Sequence, residues 1–471
     1  MAQDAQPKSW PFMTSHQHIG YRTPARIRGL LVLAGVVLVG VMLQVAVSPG
    51  RASLFSSQCE SPMDLSWEVV WSAPADSFLE PVAILPEAGG RVRLLLTTGS
   101  LRDWRQSPRP RFLPMTVVEL QETPAGWRRL PPWPDRDRHP DFVAPTALVE
   151  SDGMSHFLWS SAPPEPAEVP TPPSDGTTGG SNGTELELWY ALFRDGSWQA
   201  PRQILPAVEG WALPIGYRRP PPVRLDDRHL LTLTILAGGR VKAVRIPTNP
   251  VADEPISILP KGGDLVGWGV YALLLRNSTG DLHAAVIGGN PSGSVRVTRS
   301  RDEGHTWSTP VTIHSPPPPG RATYNPIGTL DRGGNWHLFR HENTGSGTAL
   351  IWMRETRESW IQDTLTSLDD VFSSSLTSSE CGGSDLFVVN NGVPGTERLP
   401  GTRYHGILHH LRIEDSVLTP PRLIPIEGVS VYRAPVGGIL PGGEYALMMT
   451  GRRTADDANL VLVARTRGRR R

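Results

Sequence analysis

A two-strand pattern that recurs along the chain, a turn-rich composition and a spaced set of tryptophans predict an all-β fold. The expected architecture is a β-propeller of seven four-stranded blades filling most of the 471 residues. Glycine and proline number 47 each and charged residues only 20%, a mixture that suits many short strands joined by turns better than long amphipathic helices. A blade cannot bury both faces without neighbours, so internal repetition is the decisive sign.

The repeat opens with a proline-marked apolar strand, then a turn rich in Gly or Asp, then a second apolar strand. It is read at 81–85 with 91–97, 145–149 with 156–160, 222–225 with 229–235 and 270–275 with 282–287. It continues at 326–330 with 336–340, at 374–378 with 385–389 in a weaker form, and at 435–440 with 445–450. Should the weak sixth hairpin merge with a neighbour, six blades are the alternative. Trp127, Trp198, Trp307 and Trp360 each follow a third strand and a polar turn, spaced by one, two and one blade. The last hairpin is followed by a third strand at 459–464 and no fourth. Residues 67–71 read as an unpaired strand, expected to complete that blade and close the ring, which removes exposed edges. Two low-complexity stretches, 162–182 and 315–320, read as a loop inside the second blade and a proline-stiffened connector.

One segment differs from all this. Residues 30–47 are apolar apart from Gln44 and follow Arg22, Arg26 and Arg28. The run is just long enough to span a bilayer, and the positive-inside bias keeps the N-terminus cytoplasmic. The expected organisation is a basic tail over 1–29, a transmembrane helix or signal anchor over 30–47, a stalk over 48–64 and the propeller over 65–468, outside the cytoplasm. The alternative is a cleaved signal peptide and a secreted propeller, since Gly50-Arg51-Ala52 offers small residues near a cleavage position. Cys59 and Cys381, the two cysteines, can pair in an oxidising compartment or stand as two buried thiols. Asn182-Gly183-Thr184 and Asn277-Ser278-Thr279 fit the glycosylation triplet.

Forty-six basic and 46 acidic side chains cancel without a long single-sign block, which argues against a nucleic-acid partner. The thirteen histidines, His409-His410 included, show no metal-ligand spacing, and no cofactor is expected.

The stretch Ser300-Arg301-Asp302-Glu303-Gly304-His305-Thr306-Trp307 lies between an alternating strand at 294–298 and a short one at 310–313. Asp302 can accept backbone N–H bonds inside a tight turn, Gly304 can supply a positive φ, and Thr306 can bond back. Trp307 brings a large apolar plate with one donor. This resembles the Asp box, the Ser-x-Asp-x-Gly-x-Thr-Trp turn of the sialidase-like propellers, also called the bacterial neuraminidase repeat. Arg194-Asp195-Gly196-Ser197-Trp198 looks like a shortened copy. The resemblance implies a peripheral structural turn at Ser300, Asp302, Gly304, Thr306 and Trp307, not a catalytic role.

Family sialidases clamp a sugar carboxylate with three arginines and use a Tyr nucleophile, a Glu helper and an Asp acid/base, a division of labour that proton transfer and planar carboxylate recognition require. Carried onto this chain, the clamp would be Arg219, Arg340 and Arg433, the nucleophile Tyr324, its helper Glu342 and the acid/base Asp141. In the competing, non-catalytic reading, Trp268, Tyr324 and Tyr432 are the candidate surfaces for stacking on sugar rings. The family's first arginine sits in a Phe/Tyr-Arg-Ile-Pro stretch, yet here that place reads Phe78-Leu79-Glu80-Pro81. The expectation is therefore a membrane-anchored, extracytoplasmic propeller that binds a glycan or a protein partner. The alternative is an exo-α-sialidase acting on terminal sialic acids.

Overall fold

The computed structural model describes residues 65–100, 115–131, 143–150, 152–161, 186–205, 221–235, 240–248, 256–259, 265, 271–288, 293–314, 323–343, 347–365, 368, 370–378, 383–391, 406–414, 417–440 and 444–465. They belong to the unit Gln58–Arg471. Their strands form seven antiparallel sheets, which are the seven blades of a propeller. The innermost strands are Ser77–Pro86, Val143–Val149, Val223–Asp226, Tyr271–Arg276, Thr323–Leu330, Val371–Ser378 and Val429–Ile439, in blades 1 to 7. The second strands are Val92–Ser100, Ser155–Ser161, His229–Ile235, Leu282–Gly288, Trp336–Asn343, Ser384–Asn391 and Tyr445–Arg453. The weak hairpin of the sequence is a blade of its own, so the count is seven and not six.

Blade 7 is completed from the other end of the described chain. Trp67–Ala73 pairs antiparallel with the third strand Asn459–Arg465, with Trp67 opposite Ala464 and Ala73 opposite Asn459. The early strand expected to close the ring does so.

Second strands read as continuous apolar runs because both faces are covered and successive side chains point opposite ways. Leu94 and Leu96 enter the core shared with blade 7, whereas Leu95 enters the core shared with blade 2. Ala284 and Val286 face blade 3 while Ala285 and Ile287 face blade 5. Seven such inter-blade cores, one for each neighbouring pair, are formed by the described residues. Fully burying a side chain of this kind stabilises by about 1.5–3 kcal/mol, so each blade depends on both neighbours.

The prolines that mark the innermost strands break their registers. Pairing with the second strand slips at Pro81–Ala83, Val143–Thr146, Tyr324–Ile327 and Arg433–Val436. Proline has no N–H for the ladder, and the unpaired residue bends the strand and re-aims its neighbours.

A second repeat ties the turn between the first two strands to the second strand. Glu87 accepts from Arg93 Nε at 2.8 Å, Glu150 lies 2.7 Å from His156 Nε2, and Asn277 lies 3.5 Å from His283 Nε2. In each pair the partner is the sixth residue onward, and Asp331 acts electrostatically on His337 in the same relation.

Among the described residues no helix is long and apolar enough to cross a membrane. Residues 30–47, expected to form the spanning helix, lie outside the described residues, as do Cys59, Cys381 and the triplet at Asn182.

Candidate functional site

The innermost strands of six blades, with Pro221 just before the innermost strand of blade 3, line a central cavity of about 410 Å³. Polar residues next to the proline bulges line a wall that is otherwise largely apolar. Glu80, beside Pro81 in blade 1, lines the cavity and is 5% exposed. Arg433, two residues before Pro435 in blade 7, lines the same cavity. Its guanidinium stacks over the Phe78 ring at 5.0 Å, and Phe78 in turn meets Tyr432 at 6.4 Å between ring centres. Burial pushes the Tyr432 hydroxyl up, so this phenol stays neutral. The seam between blades 7 and 1 thus places one base and one acid at the cavity.

Blade 6 supplies hydroxyls. Its innermost strand slips register between Val371 and Ser373, and Ser373, Ser374 and Ser375 all line the cavity. These serines belong to no motif, and a serine run in place of apolar residues weakens the hairpin pattern. Apolar wall comes from Ala147, Leu273, Ile327, Phe372 and Val436.

Arg340 and Glu342 lie elsewhere. They sit within the second strand of blade 5, and neither lines the cavity. Arg340 is fully buried, with Nη1 donating to Glu342 at 2.5 Å and Nη2 2.9 Å from His314 Nε2. Burial lowers the Arg340 pKa, opposed by the Glu342 carboxylate. His314 is also lowered by burial and by Arg340, which keeps its ring neutral and able to accept that bond. An arginine already matched to a carboxylate has its fork occupied.

Tyr324 lies on the innermost strand of blade 5, where it stands opposite His341, while Glu342 stands opposite Thr323. Asp141, Arg219 and Trp268 lie outside the described residues. Of the three expected clamp arginines, Arg433 alone is placed at the cavity among the described residues.

The Ser300–Trp307 turn joins the third strand of blade 4, Ser294–Ser300, to its outermost strand, Val311–His314, away from the innermost strands. Asp302 accepts from the Thr306 N–H at 2.8 Å and from the Thr306 hydroxyl at 2.5 Å, and Ser300 donates to it at 2.8 Å. Burial alone would raise its pKa, but these bonds outweigh it and hold the carboxyl low. Gly304 has φ +89°, and a Cβ there would come within 3.2 Å of Leu231. Trp307 packs against the core between blades 3 and 4 and donates to the Gly304 carbonyl at 3.0 Å. Trp198 plays a related part, donating to Glu119 of blade 1 at 2.8 Å. No group of His, Cys, Asp and Glu side chains able to hold a metal occurs among the described residues.

No protein-family model matches the chain, and no curated protein matches it. Solved structures do resemble it. A polysaccharide lyase of family PL25, an ulvan lyase, is similar with TM-score 0.48 and 12% identity over 83% of this chain and 95% of that one. The NanB sialidase of Streptococcus pneumoniae is similar with TM-score 0.41 and 11% identity over 85% and 70%. The BP39L lectin of Burkholderia pseudomallei gives TM-score 0.40 and 14% identity over 68% and 83%. Function has to come from this chain's own residues.

Proposed function

We propose that the central cavity is a saccharide-binding site and that the chain is a glycan-recognition module without sialidase turnover. The observation that carries this reading is the company Arg433 keeps. Glu80 shares its cavity, whereas Arg340 is held by Glu342 away from it. A carboxylate in the same cavity as the single placed arginine disfavours an anionic sugar, because like charges repel in a low-dielectric site. Serine hydroxyls beside apolar wall suit a ligand with hydroxyl edges and C–H faces. The cavity volume falls within the range of about 300–1,000 Å³ of small-ligand sites.

The test is a fluorogenic sialoside assay and a glycan array on the same protein, beside Arg433→Ala and Tyr324→Phe. The expected result is no sialoside turnover, with array binding weakened in Arg433→Ala. Turnover in the parent that disappears in both variants establishes the sialidase instead.

The module's place is proposed outside the cytoplasm, tethered by residues 30–47, on the strength of the arginines before that apolar run. Protease added to intact cells should then remove the propeller. Digestion only after lysis reverses the orientation.

A further inference from the structure

The three cavity serines of blade 6 are not equivalent. Ser373 Oγ accepts from the Ala434 N–H at 3.0 Å, and the Ser375 hydroxyl donates to the Pro435 carbonyl at 2.5 Å. Both fasten blade 6 to the innermost strand of blade 7. Ser374 has a side chain as its partner: its Oγ lies 2.8 Å from Nε2 of His341, on the second strand of blade 5. His341 has no exposed surface, and burial lowers its pKa to about 4. Its ring is therefore neutral at pH 7.

A neutral imidazole carries one N–H, on either nitrogen. With the proton on Nδ1, Nε2 accepts the Ser374 hydroxyl proton, and the serine oxygen keeps its lone pairs for a second partner. With the proton on Nε2, the serine accepts, and its O–H is left to donate to another partner. In both states the couple presents a polar group without a charge, which matches a hydroxyl better than an ion. It does not match a nucleophile with its base. General-base catalysis works best when the base titrates near the operating pH, and an imidazole this acidic takes a serine proton poorly.

We propose that Ser374, held in place by His341, is the specificity-determining contact of the cavity and reads one hydroxyl of an uncharged sugar. This rests on the saccharide reading above. His341 is a positioning residue, since it reaches the cavity through Ser374. Ser373 and Ser375 hold the wall and leave discrimination unchanged.

The test titrates the full chain with the methyl glycosides of glucose, galactose, mannose and N-acetylglucosamine, and with the monodeoxy analogues of each, by ligand-observed NMR. At least one glycoside is expected to bind, and one deoxy position to weaken it tenfold or more. Ser374→Ala should lose a similar factor and then no longer distinguish that deoxy analogue from its parent. His341→Gln, which keeps a hydrogen-bonding side chain, should retain the discrimination that His341→Leu loses. A purely structural role for Ser374 would not couple to one ligand hydroxyl. If Ser374→Ala fails to fold, Ser374→Cys, similar in size but a weak donor, carries the same comparison. Full discrimination in the Ser374 variants overturns the assignment and leaves the saccharide site standing. Binding of none of these glycosides by the parent overturns both.

Discussion

His341 couples the cavity wall to the stability of the fold. In an unfolded chain a histidine titrates near pH 6.5, but burial lowers His341 to about 4. Between these values the unfolded state binds the proton more readily than the folded one, so stability is complete above pH 6.5 and falls as pH drops toward 4. For a group this deeply enclosed the loss by pH 4 is about 3 kcal/mol. His283, lowered to about 4 chiefly by burial with Arg299 acting in the same sense, adds to the slope. Denaturant melts of the parent and of His341→Gln at pH 7, 5.5 and 4.5 measure it. The variant is expected to show the shallower decline, and identical slopes would place the acid sensitivity elsewhere.

At the scale of single elements, the Ser300–Trp307 turn is where sequence reasoning reached furthest. Each residue type there has one local task, and local tasks can be read without a fold. Asp302→Ala removes the acceptor for two Thr306 donors and for Ser300. The expected cost is about 1–3 kcal/mol, seen as a lower melting temperature with glycan-array binding unchanged at 25 °C. A normal melt with impaired binding would assign the turn to the site. The hairpins were legible for a similar reason, since a strand covered on both faces must be apolar throughout and a proline must sit where the ladder breaks. The cavity was not. Glu80, Ser374 and Arg433 come from three blades, and no local pattern says that they meet. Arg340 and Glu342 show the converse: both have the right chemistry for the sialidase site, but alternation along one strand sets them on the same side, where they satisfy each other. The six-residue relation of Glu87 to Arg93 and Glu150 to His156 was present in the sequence, hidden because the acid becomes Asn277 in blade 4 and the base is Arg in blade 1.

For the molecule as a ring, everything above depends on closure, because a wall built from seven blades keeps its shape only while all seven interfaces hold. The closing strand Trp67–Ala73 contributes to both faces of blade 7. Val70, Trp71 and Ala73 pack toward blade 1, and Trp67 packs toward blade 6. Asn459 then bolts the crossing from the closing strand to blade 1: its side-chain amide donates to the carbonyls of Pro74 and Ser77 at 2.8 Å each, and to Ala75 at 3.2 Å. Removing residues 67–73 leaves Asn459–Arg465 as an open edge with unpaired backbone groups and strips apolar cover from both interfaces. The deletion is expected to abolish the single cooperative unfolding transition of the propeller, replacing it with a broad one of smaller denaturant slope, since less surface is then buried as a unit. Asn459→Ala is the milder probe. It leaves every ladder bond in place, so it should lower the midpoint by the equivalent of about 1–3 kcal/mol while preserving the slope. A deletion variant that still melts in one sharp transition would show that the remaining six blades and three strands hold themselves together, and that the closing strand is an ornament to the ring.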